Sequence, residues 1–568
     1  MKKLAVVSSL LVLLSTSSMA GEQSHFFRDP IPREKHFRQK SLYSEKAEDL
    51  QPIKAIKKDS SKEKLISISS FVLKSISISE VGVKKVDSAS FQYILSPYLG
   101  KTVGNKEVTA IVRKVRNHYI KNGFLLPIVK VSGQSSGVLN ISVMNGKIRD
   151  VELVLDKEHE KEILSNELLK TYIDRILESS PAKTKEVQKQ LLLINKIPGY
   201  EARYELQTIQ SSSKTANEVA DLVLEVKRSK VKLELDVTDH GSAELGRYQV
   251  SAFSQIYNPT KHNDSLLLSV GTSNRPNRMS VVSAGYLKRI NSYGTSISLL
   301  GSHSKDNAYK SQNLSSKDDY SNTLRGQISH YLVLNNQNSV RLDVGLDHRT
   351  VKEHDTTQVV ADYDYTMGFV GAKIKHKDFL KAENWINPSF FYTIGDTNLT
   401  RVSSAVTNFD KNFSFFTLDY FRDQPLPNNF SIFTQVIWHD TQDRLPLEQQ
   451  FFVGGNSVGR GYKSGLLNSE RGINGDIELR YTYEVGKDYL DIMQVFGYYD
   501  VSKFSRTSQT VSKKTLSSAG AGIRFFMPNG FRGEFEVAVP STKNVTVGGV
   551  TKHNPTRYQF LVGKSFTW

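Results

Sequence analysis

Arg460 stands between two glycines and two residues before a tyrosine, in the stretch Phe452-Val453-Gly454-Gly455-Asn456-Ser457-Val458-Gly459-Arg460-Gly461-Tyr462. Glycine permits backbone conformations with positive φ and close approach of other groups. The tip Val458, Gly459, Arg460, Gly461, Tyr462 can therefore fold back and present its guanidinium to a carboxylate. The chemistry on offer is an ion pair, because a guanidinium removed from water is stable only when paired. Asp500 is the best-placed partner. Gln494, Phe496, Tyr498 and Asp500 share one face of a strand pattern, and Val495, Tyr499 and Val501 take the other. If the more apolar odd face meets lipid, Asp500 points inward. Asp476 and Glu478 are rivals for the same role. Nothing in the sequence points to catalysis, a cofactor or a metal. There is no Walker loop, H-E-x-x-H or G-x-S-x-G, and the histidines lack metal spacing. Gly520-Ala521-Gly522 lies in a strand pattern with no helix after it, which suits small residues packing in a sheet wall. The chain has 0 cysteines, so disulfides and thiolate sites are excluded.

The elements that must position Arg460 are β-strands. From about Lys230 to Trp568 the hydrophobic period is two. Between Gly475 and Val485, Ile477, Leu479, Tyr481, Tyr483 and Val485 fall on one face, with Asp476, Glu478, Arg480, Thr482 and Glu484 on the other. The pattern recurs at Ala521-Ile523-Phe525-Met527 and at Gly533-Phe535-Val537-Val539. It suits a wall with lipid on one side and a wet lumen on the other. A soluble sandwich also alternates, so alternation leaves both architectures open. The last strand carries Tyr558, Phe560, Val562, Phe566 and Trp568 on one face, and this aromatic ending resembles the terminal signal of bacterial outer-membrane barrels. Lys564 on that face is expected to snorkel to the rim. At roughly 20 residues per strand and connection, residues 230–568 hold about 16 antiparallel strands, an even number that leaves both barrel ends at one rim.

The chain ahead of the barrel divides further. Met1-Lys2-Lys3, the apolar run Leu4–Leu14 and Ser18-Met19-Ala20 read as a signal peptide over residues 1–20. Residues 21–64 are a polar linker with Pro30, Pro32 and Pro52 and the charged run Lys54–Lys64. Residues 65–145 read as one α+β module. It has strands at Ile66–Ile68 and Val72–Ile78, a helix over Glu107–Asn122, and a hairpin of Ile128–Val131 with Val138–Val143 turning at Gly133–Gly137. Residues 146–229 repeat the theme, with a strand at Val151–Leu155, helices over Asn166–Leu177 and Thr184–Leu193, and strands at Arg203–Thr208 and Ala220–Val226. No run of about 18 apolar residues follows the leader, so helical membrane spans are not expected. The formal charge of +17 does not indicate nucleic acid in an exported chain. It suits an anionic membrane surface, an acidic exported partner, or plain solvation.

Several motifs carry a resemblance to the TpsB transporters of two-partner secretion, within the superfamily of POTRA-barrel insertases and translocases. Tyr119-Ile120-Lys121-Asn122-Gly123-Phe124 resembles the family's Y-x-x-x-G-[YF], and Leu191-Leu192-Leu193-Ile194-Asn195-Lys196-Ile197-Pro198-Gly199 its L-L-x-x-x-x-x-P-G. Tyr257-Asn258-Pro259 with Asp264-Ser265-Leu266 resembles its N-P…D-x-L. Leu445-Pro446, Glu448-Gln449, Phe452-Val453-Gly454-Gly455 and Arg460-Gly461-Tyr462 resemble its E-Q-F-x-x-G-G…V-R-G-Y loop. The family usually has Val before the Arg, where this chain has Gly459.

The resemblance implies two periplasmic POTRA-like domains, a monomeric outer-membrane pore, and a loop arginine bonded to an aspartate on a following strand, a place Asp500 fits as F-x-x-x-D. It implies export of a large haemolysin- or adhesin-like partner that bears an N-terminal secretion domain, in contact with outer-membrane lipid and lipopolysaccharide. It also implies a plug helix, which residues 21–64 would have to supply. The alternatives are an insertase that assembles other barrels, whose members usually carry more POTRA domains, and a passive porin, which needs none.

Overall fold

The computed structural model describes residues 69–81, 95–125, 127–179, 183–209, 219–241, 245–306, 319–355, 358–402, 409–456, 458–507 and 510–568. The expected leader, the linker and the strand at Ile66–Ile68 lie outside them. The chain forms two compact units, one over residues 46–228 and one built on residues 229–568.

The first unit holds two modules of one topology. In the first, Ser75–Val81 pairs in parallel with the central strand Val138–Asn145, which pairs antiparallel with Pro127–Ser135. In the second, Lys147–Leu155 pairs in parallel with Val219–Arg228, which pairs antiparallel with Tyr200–Ile209. The internal repeat seen in the sequence is thus a repeat of strand order. Helix Asn105–Lys121 buries Val108, Ile111, Val115 and Tyr119 against Leu139, Ile141 and Val143. Glu107 opens it by accepting the Gly104 N–H at 2.8 Å, and Gly123 closes it at φ 91°. The second module packs helices Glu167–Glu178 and Thr184–Ile194 on its sheet. Asn166 caps the first of these, its side chain accepting from the Leu168 and Leu169 amides. The Asn195 side chain bonds both backbone groups of Ala202, which fixes the turn through Pro198-Gly199. Three details depart from the sequence reading, and the first is that the expected strand Val72–Ile78 breaks at Leu73-Lys74 into Phe71–Val72, paired with Thr102–Val103, and Ser75–Val81. Gly133 lies inside strand Pro127–Ser135 at a register shift, and the turn is confined to Ser136-Gly137. A short helix, Glu160–Leu164, precedes Glu167–Glu178.

The second unit is a closed barrel of 16 antiparallel strands. Glu383–Thr393 and Asn398–Val402 are two pieces of one strand, each paired with part of Gln358–Lys377. Closure joins Val231–Thr238 to Arg557–Thr567, with Leu233 opposite Phe566. Burial decides between barrel and sandwich. On Arg471–Lys487 the apolar Ile473, Ile477, Leu479 and Tyr483 are exposed, while Asn474, Asp476, Glu478 and Arg480 are buried. A sandwich would bury the apolar face. An apolar exterior around a charged interior is what lipid outside and a polar lumen inside demand. Turns at the rim where the barrel begins and ends are short, and the far rim carries the long connections 441–470 and 541–556.

Candidate functional site

The loop 441–470 springs from the far rim, between strands Phe430–Asp440 and Arg471–Lys487. Its stem is a two-stranded ribbon, Phe451–Val453 against Leu467–Ser469. Its tip is built from turns that need glycine. Gly454 has φ 102°, and a Cβ there would lie 1.9 Å from the Lys463 carbonyl oxygen. Gly459 has φ 72°, a left-handed conformation that the valine usual in the resembling family avoids. The Tyr462 N–H donates to the Gly459 carbonyl at 2.9 Å, closing the turn around Arg460.

Arg460 is 1% exposed inside the barrel. Its Nη2 lies 2.9 Å from Glu478 and 3.2 Å from Asp476, and its Nη1 lies 3.1 Å from Glu536. The guanidinium sits 3.8 Å from the centre of the Tyr498 ring, and the Tyr498 hydroxyl donates to Glu536. Asp500 points into the lumen, as strand parity predicts, but it does not meet the guanidinium. It accepts the Arg460 backbone N–H at 2.9 Å and the Ser518 hydroxyl at 2.8 Å. The side-chain pair expected between Arg460 and Asp500 is thus replaced by a main-chain contact, and the rivals Asp476 and Glu478 hold the charge together with Glu536. The amide that Asp500 accepts follows directly on Gly459, which sits at φ 72°.

The rest of the tip is held as closely. The Gly461 N–H donates to the Ser518 hydroxyl, and a Cβ on Gly461 would come within 2.6 Å of the Ser518 Cβ. The Tyr462 hydroxyl donates to the Ser517 carbonyl, and Arg557 donates to the Tyr462 carbonyl. Val458 and Tyr462 join Phe451, Val453, Leu466 and Leu467 in an apolar seal against Ile437, Phe504, Leu516, Val545 and Val547. The last two come from the far-rim loop between Phe531–Pro540 and Arg557–Thr567.

Two further arginines extend the network. Arg480 donates to Glu478 at 2.5 Å and lies over Phe433, while Arg524 donates to Glu478 and to Glu534 and lies over Phe496. Sequence parity marks all these residues as inward-facing, yet pairing across non-adjacent strands gave no signal.

The base of the loop is braced on a different stretch of wall. Glu448 accepts from the hydroxyls of Tyr363 at 3.0 Å and Tyr365 at 2.6 Å. The Gln449 amide, turned with its oxygen toward Arg349, accepts from that guanidinium. The loop therefore crosses the lumen, held by Glu448 and Gln449 on one side and by Arg460 on the other.

Glu470 closes the loop's far-rim end. Its carboxylate accepts from the Leu445 N–H at 2.8 Å and from Gln450 at 3.2 Å. Burial pushes this carboxyl up to about 7, against the hydrogen bond from Leu445. A raised folded-state value means that the docked loop holds this proton more tightly than an undocked one. The stabilisation is complete below the ordinary carboxylate range and is lost as pH rises through about 7. Labelling of a cysteine placed in the loop is expected to speed up between mildly acidic and mildly alkaline pH. Glu470→Gln should remove that dependence, and an unchanged pH profile in the variant would count against the assignment.

Of the terminal aromatics, Phe566 and Trp568 stack with ring centres 5.6 Å apart, and Lys564 lies 5.2 Å from the Phe566 ring. The Trp568 carbonyl accepts from the amides of Lys230 and Val231, so the last residue seals the barrel seam.

Residues 219–525 match the family described as haemolysin secretion/activation protein ShlB/FhaC/HecB, and residues 71–146 match the ShlB-type POTRA domain. The heme/hemopexin transporter protein HuxB of Haemophilus influenzae is 22% identical over 506 residues, covering 86% of each chain. Among solved structures, CdiB from Escherichia coli superposes with a TM-score of 0.65 at 18% identity, covering 97% of this chain and 99% of that one. CdiB from Acinetobacter baumannii gives 0.58 at 16% identity, covering 97% of this chain and 100% of that one.

Proposed function

We propose that the lumen loop is the gate of this chain, which belongs to the haemolysin secretion/activation protein family ShlB/FhaC/HecB, the two-partner secretion transporters. As a member it resides in the outer membrane with POTRA domains in the periplasm, and it exports a secreted partner protein. The observation that carries the gating proposal is Arg460, buried to 1% exposure on three carboxylates while the base of the same loop grips another wall. A chain crossing the barrel must displace that span.

Capture falls to the POTRA domains. Their edge strands, Ser75–Val81 and Pro127–Ser135 in the first and Lys147–Leu155 and Tyr200–Ile209 in the second, suit an extended secretion domain added by β-augmentation. Cargo folding outside then supplies the directional bias. The pore works as a monomer, with its apolar exterior in lipid and lipopolysaccharide. A haemolysin- or adhesin-like cargo fits, and the relative's name, a heme/hemopexin transporter protein, adds transport tied to heme or hemopexin. Deleting the gene and following one candidate cargo is the test. Retention of that cargo alone in the periplasm is the expected result, whereas general loss of barrel proteins would establish barrel assembly instead.

A further inference from the structure

The lumen wall has two chemically distinct sides. Counted round the ring of 16, Met279–Arg289 is the fourth strand and Arg471–Lys487 the twelfth, so they face each other. The tip of the loop and its ion network occupy the twelfth to fifteenth strands, and the base of the loop grips the seventh and eighth. The opposite side carries a row of hydroxyls set among small and aliphatic residues such as Val281 and Gly285. Ser269 pairs with Ser283, Ser283 with Ser302, and Ser302 with Thr323. One step toward the far rim, Ser304 pairs with Ser321. Ser269, Ser283, Ser302 and Ser304 are buried, whereas the alternating Leu268, Val282 and Leu299 are exposed, so the serines face the lumen. On this inward face of Met279–Arg289 only the last residue, Arg289, carries a charge, and on Asp264–Ser273 none of the alternating lumen positions does. The hydroxyls of Ser269, Ser283 and Ser321 have no hydrogen-bond partner among the described residues.

From this we propose that the exported chain, an extended unfolded polypeptide, slides along the serine wall of the lumen. This rests on the export reading above. A conduit that passes many sequences must bind none of them tightly. Buried charges and aromatic faces would trap particular side chains, and the inward face of Met279–Arg289 carries no aromatic and a single charge, Arg289, at its end. Small hydroxyl side chains leave room for varied side chains. They can also exchange hydrogen bonds with whichever backbone amides and carbonyls pass, in place of the water those groups lose.

The absence of cysteine from this chain makes the test direct. Single cysteines are placed at Ser283→Cys and Ser302→Cys on the serine wall, and at Thr482→Cys and Ser502→Cys across the lumen. Each full-length transporter is expressed with a cargo that carries one cysteine and a fast-folding C-terminal domain that stalls it in the barrel. Oxidation is expected to give disulfide adducts at positions 283 and 302 and none at 482 and 502. In addition, Ser283→Trp should lose export while Ser283→Ala keeps it, with heat-modifiable barrel present at wild-type level in both. Adducts at 482 or 502 equal to those at 283, with export intact, would overturn the wall while leaving export standing. If the wild-type transporter delivers no cargo to the surface, the export reading itself fails and this inference falls with it.

Discussion

Export is expected to fail in Arg460→Glu and to return in part when Glu536→Arg is added to the same chain. Arg460 is buried, and its guanidinium is the cation that Asp476, Glu478 and Glu536 share. Breaking a buried ion pair by removing one partner costs about 3–5 kcal/mol, because the remaining charge stays desolvated. Glutamate at position 460 adds a fourth carboxylate to that group, so the tip cannot dock. The choice of swap partner follows from who else each carboxylate serves. Glu478 also takes Arg480 and Arg524, so reversing it would damage the barrel wall. Glu536 meets Arg460 and the Tyr498 hydroxyl and lies on the neighbouring stretch of wall, which makes it the separable partner. Asp500→Arg is not expected to rescue, since Asp500 holds a backbone N–H that any residue at position 460 supplies. The readout is cargo in the medium, normalised to folded barrel in the outer membrane. Rescue by Asp500→Arg and not by Glu536→Arg would mean that the working loop docks differently.

The residues of this lock were largely legible in the sequence, but their partnerships were not. Alternation placed Asp476, Glu478, Asp500 and, by the same rule, Glu536 on lumen faces, because the side-chain period of a strand is fixed. The rule says nothing about which inward residues meet. Glu478 and Glu536 lie on strands separated by two others, and they converge on Arg460 through strand tilt and stagger, which belong to the closed barrel as a whole. Asp500 shows the same limit at atomic scale. Its direction was readable, yet whether it met the backbone or the side chain of Arg460 depended on the conformation of the loop tip, which strand parity does not carry. In the modules, helix periodicity located Asn105–Lys121 and Glu167–Glu178 closely. Glu160–Leu164 escaped because five residues are too few to show a period.

Glu478→Gln is expected to destabilise the barrel more than Asp476→Asn or Glu536→Gln, although all three remove one charge from around Arg460. Glu478 is the shared acceptor. It lies 2.9 Å from Arg460 and 2.5 Å from Arg480, and it takes two bonds from Arg524. A glutamine keeps one oxygen and turns an N–H donor group toward guanidiniums that have only donors to offer. The three arginines are not equally exposed to this loss. Arg460 keeps Asp476 and Glu536, and Arg524 keeps Glu534 and Gln494. Arg480, 2% exposed, keeps its place over the Phe433 ring and the more distant charge of Asp423, and its hydrogen-bonded carboxylate is Glu478 itself. The cost of a broken buried pair, about 3–5 kcal/mol, should therefore fall mostly on Arg480. Truncating that arginine at the same time should recover part of the loss, a coupling that two independent sites would not give. Thermal unfolding of the detergent-purified transporter measures this, with Glu478→Gln, Arg480→Met and the double variant as three sides of the cycle. Added salt should not help the single variant, since the cluster is shielded from bulk ions. Equal losses in all three carboxylate variants, or a strictly additive double, would show that the carboxylates act separately. A large coupling would instead place the barrel's stability and the loop's grip on the same side chain.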